Sequence, residues 1–206
     1  MGLDSGYGIG SVKPGVCTSS TRPASPYEGQ FVYETDTKLT RVWNGSAWKT
    51  LSYANYTSGS VLQVASTTKT DTFTSTSGTY VDITGVSVSI TPTSTSSKIF
   101  VTASGIGGLA DSAKVVFLKL VRGSTDIGIS TGSGVSDSTT QIFAANSTQS
   151  VAFSVNYLDS PSSTSSLTYK LQGAQNTAGT NWYIGRFAAN DNHRGITTIT
   201  VMEIAG

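Results

Sequence analysis

The sequence predicts an all-β protein: an antiparallel, jelly-roll-like β-sandwich knob, preceded by a small three-stranded meander and a flexible N-terminal arm. Three observations lead there. First, about three residues in ten are Ser or Thr and 22 are Gly, yet the apolar residues still alternate with polar ones, the period of a half-buried strand. Second, the alternating runs are bounded by Gly, Asn, Pro and Ser, as strands joined by turns require. Third, no window carries helical periodicity. The nearest, Ala110 to Leu120, contains Val115-Val116-Phe117, which suits a strand.

The elements follow in order. Residues 1–20 are Gly-rich and aperiodic, with Gly6, Gly8, Gly10 and Gly15. They have too few apolar side chains to offset chain entropy. The expectation is an arm that orders only against a partner. Residues 21–55 read as a compact aromatic meander. Gln30 to Thr35, Leu39 to Trp43 and Ser46 to Leu51 are its strands, and Thr21-Arg22-Pro23 and Ser25-Pro26 are extended before proline. Asn44-Gly45 predicts a two-residue type I′ turn with positive φ at both positions. Trp43 and Trp48 flank that turn and share a face, with Tyr33 one strand away. A sheet this small is marginal alone. Ser52 to Ser60 reads as a linker.

Residues 61–206 read as the knob. Val61 to Val64 opens it. Tyr80 to Thr84 alternates with Val81 and Ile83 inward, and then the phase changes to Val86, Val88 and Ile90. A bulge at Gly85 accounts for the change while keeping one core face. Further strands are predicted at Ile99–Ala103, Val115–Val121, Val151–Tyr157, Leu167–Leu171, Asn181–Phe187 and Ile196–Ile204. Roughly ten strands suit a two-sheet jelly roll.

Composition limits the function classes. Charged residues are 12% and the formal net charge is +1, against roughly 25% charged in an average chain. The surface is therefore polar but largely un-ionised. Without clustered Lys and Arg, no nucleic-acid partner is expected. No apolar run reaches the roughly 20 residues of a membrane-spanning helix, so no membrane insertion is expected. One cysteine, Cys17, excludes an intrachain disulfide. The N-terminal residues carry neither a basic n-region nor an apolar h-region, so the expectation is assembly inside a cell rather than export by the general route.

Ser20-Thr21-Arg22-Pro23-Ala24-Ser25-Pro26, Tyr33-Glu34-Thr35-Asp36-Thr37 and Trp43-Asn44-Gly45-Ser46-Ala47-Trp48 form a pattern that resembles a short motif of bacteriophage tail-fibre and other virion structural proteins. Val61-Leu62-Gln63-Val64, Tyr80 to Gly85, Ser94 to Ile99, Val121 to Gly128 and Met202 to Gly206 resemble the C-terminal β domain of the same class. The resemblance implies a homotrimeric virion protein on the tail or capsid surface. The chain is shorter than fibres with long shafts, which points to a short tail fibre or a surface spike. In that reading the N-terminal region holds other virion proteins and the knob meets a host-surface glycan. The alternatives are a head decoration protein without receptor binding, or a carbohydrate-binding module or glycan hydrolase.

No catalytic residue, cofactor or metal site is expected. His193 is the single histidine and sits in the polar turn Asn190 to Gly195. A metal centre wants more His or Cys, or an acidic loop. Cys17 has no base beside it in sequence. Asp111, Asp126, Asp137, Asp159 and Asp191 lie in turn-like contexts, where Asp bonds to nearby backbone. The candidate glycan contacts are Trp182 and Tyr183, whose ring faces suit stacking on sugars, although large aromatics more often fill cores and interfaces. The candidate attachment residues are Trp43, Trp48 and Tyr33.

Overall fold

A computed structural model describes residues 14–51, 57–112, 114–131, 137–147, 149–189 and 192–206. The chain forms two compact units, Met1–Asn55 and Tyr56–Gly206. Every regular element described is a β-strand.

Unit 1 is one sheet of four strands: β1 (Gly15–Cys17), β2 (Phe31–Glu34), β3 (Leu39–Trp43) and β4 (Trp48–Thr50), in that order across the sheet. The meander β2-β3-β4 is the one expected. Within the arm expected over residues 1–20, Gly15–Cys17 instead forms a strand parallel to β2. Its edge is tied further by the Thr35 amide, which donates to the Cys17 carbonyl at 2.9 Å, and by the Ser19 amide, which donates to Asp36 Oδ1 at 2.9 Å. Gly-Val-Cys is too short to show alternation, so nothing local signals a strand there. The rest of the expected arm, residues 1–13, lies outside the described residues.

The turn at Asn44-Gly45 also differs from expectation. Trp43 pairs with Trp48, so the loop holds four residues, and only Gly45 has positive φ, at 92°. Asn44 instead folds its side chain back: Oδ1 accepts from the amides of Ser46 and Ala47 at 3.1 and 2.8 Å. Asn commonly caps a turn in this way, in place of adopting the left-handed conformation.

Unit 2 is a sandwich of two sheets. Sheet I holds β5 (Val61–Lys69), β6 (Phe73–Ser75), β8 (Lys98–Leu109), β12 (Ser150–Asp159), β14 (Trp182–Ile184) and β15 (Thr197–Ile204). Sheet II holds β7 (Val81–Ile90), β9 (Lys114–Arg122), β10 (Thr125–Ile127), β11 (Thr140–Ala144) and β13 (Leu167–Gln175). Short successive strands share a lane. β6 continues β5, β15 continues β14, and β10 and β11 pair with the two halves of β9. Numbering the resulting lanes along the chain, sheet I runs 1-8-3-6 and sheet II runs 2-7-4-5. All pairings in this unit are antiparallel. This is the interleaved order of a jelly roll, in which consecutive lanes alternate between sheets except at lanes 4 and 5, which are neighbours in sheet II.

Alternation sets the core. Val86, Val88 and Ile90 of β7, Ile99 and Val101 of β8, Leu118 and Leu120 of β9, and Ile199 and Val201 of β15 all point between the sheets and are buried. The phase change in β7 is a large bulge. Lys170 pairs with Ser87 and Gln172 with Asp82, so β7 carries three more residues than β13 between those pairs. Gly85 sits inside it at φ 85°. An odd insertion reverses parity, so Ile83 and Val86 are both buried although they are an odd number of residues apart.

Candidate functional site

The sequence placed its candidate glycan contacts on Trp182 and Tyr183, and the fold moves both inward. β14 is an inner segment of sheet I, between β6 and β8. Trp182 is fully buried, packed on Phe73 with ring centroids 5.3 Å apart, and its indole nitrogen donates to the Ser77 carbonyl at 3.4 Å. The far edge of the indole lies where a Cβ on Gly173 would stand 2.6 Å away, so glycine is required opposite it. Tyr183 is also buried, and Arg186 lies over its ring at 4.5 Å. Both rings are covered, Trp182 by Phe73 and by Gly173 of the facing sheet and Tyr183 by Arg186, so neither is open to a ligand.

In unit 1, Trp43 and Trp48 meet edge to face at 5.6 Å, as their pairing across the hairpin dictates. They are partly exposed, as is Tyr33 on the neighbouring strand. The heart of this unit is polar. Glu34 is fully buried, and its carboxylate accepts from Arg22 Nε at 2.5 Å, Thr37 Oγ1 at 2.6 Å and Arg41 Nε at 3.3 Å. The Arg22 hydrogen bond, with help from Thr37 and Arg41, holds the Glu34 carboxyl down at about 2. It is ionised at neutral pH and binds three segments of the unit together.

The acids of unit 2 are engaged in the same way. Glu203 on β15 is buried and accepts from Gln63 Nε2 at 2.6 Å and from the Thr93 amide and hydroxyl, both at 2.7 Å. Burial works against its charge, but these hydrogen bonds outweigh it and the carboxyl sits below the usual range. Asp159 accepts from Arg122 and from the Tyr169 hydroxyl at 2.6 and 2.7 Å. Burial, then the bond to Asp159, raises the Tyr169 phenol far above its ordinary value. Asp126 pairs with Lys119 at 2.6 Å. These acids hold the fold through their partners. Asp111 lies in the loop between β8 and β9, and Asp137 presents its backbone carbonyl to Tyr80. Asp191 lies outside the described residues. Cys17 sits on the edge strand of unit 1 as a free thiol. His193 stacks edge-on against Phe187 at 5.5 Å, and its carbonyl accepts from the Phe187 amide. Among the described residues, no group of three or more His, Cys, Asp or Glu converges as a metal site.

What remains exposed is two sheet faces. On sheet II the outward row holds Asp82, Gln172 and Lys119, paired in register. Lys170 bonds Asp82 at 2.8 Å and Gln172 bonds it at 2.7 Å. Beside this row is an open hollow of about 400 Å³ lined by Tyr80, Phe117, Ala174, Gln175 and Asn176. Lys119 Nζ lies 4.1 Å above the Tyr80 ring, and the Tyr80 hydroxyl donates to the Asp137 carbonyl at 2.8 Å. Burial, and then the charges of Asp126 and Asp137, push this phenol up to about 12, so it stays neutral.

On sheet I the outward rows are of another kind. The register places Val64 opposite Met202, Met202 opposite Phe100, and Phe100 opposite Leu158. The next row is Ser66, Thr200, Thr102 and Asn156. The third is Thr68, Thr198, Ser104 and Ser154. Ser66 and Thr200 share a hydroxyl hydrogen bond at 2.8 Å. No charged side chain stands in these three rows. Lys98, opposite Ile204, lies one row beyond the apolar one.

Sequence reasoning named neither face, although both signals were in the sequence as the outward residues of each strand. They become faces only once the register lines the strands up. Compared with known proteins, the chain matches no family model, and no curated protein matches it significantly.

Proposed function

We propose that this chain is a non-enzymatic structural protein of a phage virion, of short tail-fibre or surface-fibre type. Unit 1 attaches it to other virion proteins and the jelly-roll unit stands outward as a homotrimeric knob. The observation that carries the reading is how the polar groups are used. Glu34, Glu203 and Asp159 are buried in bonds that hold strands together, and the outward faces of the sandwich carry hydroxyls, amides, a few paired charges and an apolar row. Such a surface suits adhesion and packing. The resemblance of residues 20–48 and of the strands after Val61 to virion proteins supports the same reading.

Within this reading the glycan-facing residues move from Trp182 and Tyr183 to the hollow at Tyr80 and Phe117. That hollow offers aromatic surface beside the amide of Asn176, the pairing of apolar body and few polar groups that ligand sites use. Three knobs would multiply weak contacts into avid binding.

Labelling intact particles with an antibody to the chain tests the virion assignment. The expected result is label at discrete surface positions, and particles that carry no label would refute it. Binding of the purified chain to immobilised bacterial surface glycans separates attachment from decoration. Loss of that binding in Tyr80→Ala with an unchanged melting temperature is the expected outcome for attachment. Release of reducing sugar from those glycans would favour the hydrolase instead.

A further inference from the structure

We propose that the outer face of sheet I is the surface through which copies of this chain associate, the occupants being the same face of the other two copies, turned toward a common three-fold axis. The inference rests on the reading of the chain as an oligomeric knob and names where the contact lies.

The apolar row crosses the sheet from edge to edge. Val64 is 57% exposed and Leu158 48% exposed, and Phe100 and Met202 lie partly covered between them. Four apolar side chains in one straight row, on a chain with 37% hydrophobic residues, leave a continuous strip in water. Isolated exposed apolar residues are ordinary, but a contiguous strip rimmed by polar groups marks a contact surface.

Charge and hydrogen-bonding capacity choose the occupant. Three rows without an ionised group have nothing to attract a basic or acidic partner. Two copies of such a face meet without burying an unpaired ion, the step that most often makes an interface costly. The Ser, Thr and Asn rows both donate and accept, so identical rows satisfy one another. A lipid surface would leave those rows unsatisfied. Sheet II has the opposite character: a second copy there would bury the Lys170–Asp82 and Lys119–Asp126 pairs.

Size agrees. Four lanes at about 4.8 Å spacing and the roughly six residues that three rows span at about 3.3 Å rise give about 400 Å² in plan per copy, so about 1,200 Å² over three copies. That is the lower edge of stable, specific interfaces.

The test is sedimentation of the full chain at micromolar concentration. The wild type should run as a multiple of 21.4 kDa. Val64→Lys and Leu158→Lys each place a charge on the face from an edge strand, where the side chain is already half exposed. Each should weaken association on the order of a hundredfold, because like charges are forced together in the interface. The double variant should run as a single chain. Phe143→Lys, on sheet II and 53% exposed, should leave the mass unchanged. Circular dichroism and melting of each variant establish that it is folded. If a lysine variant fails to fold, Val64→Ser and Leu158→Ser read the same face more gently. A monomeric wild type overturns this inference and the oligomeric knob together. An oligomer that survives the sheet I variants, or that Phe143→Lys dissociates, overturns this inference alone.

Discussion

The two outer faces of the sandwich come from the same rule and end differently. In both sheets alternate residues point outward from antiparallel strands. Sheet II carries Asp82, Lys119, Lys170 and Gln172 there, paired across strands, with Phe117, Ala174 and Phe143 beside them. Sheet I fills those positions with one apolar row and two rows of hydroxyls and amides. An alternating pattern decides which residues leave the core, and it leaves open what the exterior is for. The difference lies in cross-strand pairing. An ion pair on a face satisfies itself and wants water, whereas a row of Val, Met, Phe and Leu is satisfied only by being covered.

Four perturbations probe that comparison. The largest acts on the core that both faces share. Trp182→Ala should cost about 3–5 kcal/mol, the range for deleting a large buried aromatic. Thermal melting followed by hydrogen exchange should show sheets I and II losing protection together. Separate transitions would mean that the faces belong to separately stable layers.

Next comes a local change on one side. Gly85 holds φ 85° in the bulge of β7, a conformation that a β-branched residue resists. Gly85→Val should cost about 1–3 kcal/mol and raise exchange in β7, with the sedimentation mass unchanged. A drop in mass would tie sheet II to assembly.

Acid separates the faces in a third way. Lys170, then Gln172, lowers the Asp82 carboxyl below its ordinary value, and hydrogen bonds lower Glu203 against its burial. A depressed carboxyl contributes stability that is present above its unfolded value and lost as pH falls through its folded one. Unit 2 should therefore weaken as pH drops below the ordinary carboxylate range. In unit 1 the Glu34 contribution should fade between about 4.5 and about 2, read as a change in the fluorescence of Trp43 and Trp48. Assembly should be indifferent to pH above that range, since the three rows on sheet I contain nothing that titrates. Dissociation between pH 7 and 5, with the fold intact, would place a titrating group in the contact.

The smallest effect is at the ion pair itself. Lys170→Met removes the partly exposed pair with Asp82 and should change stability by about 0–1 kcal/mol, the usual worth of a surface ion pair. A denaturant melt that moves by several kcal/mol would show that sheet II depends on its charges as sheet I does not.

Much of the fold was legible in the sequence because alternation and turn residues act locally. The β7 phase change at Gly85, the Trp43–Trp48 pair and the long strands near Ile99, Val151 and Leu167 all carry their signal within a few residues. What was missed was non-local. β1 is three residues long and acquires its place from β2, 14 or more residues later. β10 and β11 are recognisable as strands only beside β9. Asn44 caps its loop through a side chain, which the dipeptide alone does not distinguish from a type I′ turn. The candidate site followed the same division. Trp182 was legible as an important aromatic, but its burial depends on Phe73 and on Gly173 of the facing sheet, residues far from it or on another strand. The apolar row on sheet I unites residues 64, 100, 158 and 202, which meet only through the strand register.

The claim that copies meet on sheet I is tested most directly by hydroxyl-radical footprinting of the full chain over a dilution series. A thioether oxidises readily where solvent reaches it, so Met202, at the middle of the row, is a built-in reporter. The account predicts that Met202, Phe100 and Leu158 lose reactivity as concentration rises, in step with the sedimentation mass, while Phe117 and Phe143 on sheet II stay reactive throughout. Met202 reacting equally at every concentration, in a sample whose mass is that of an oligomer, would contradict it.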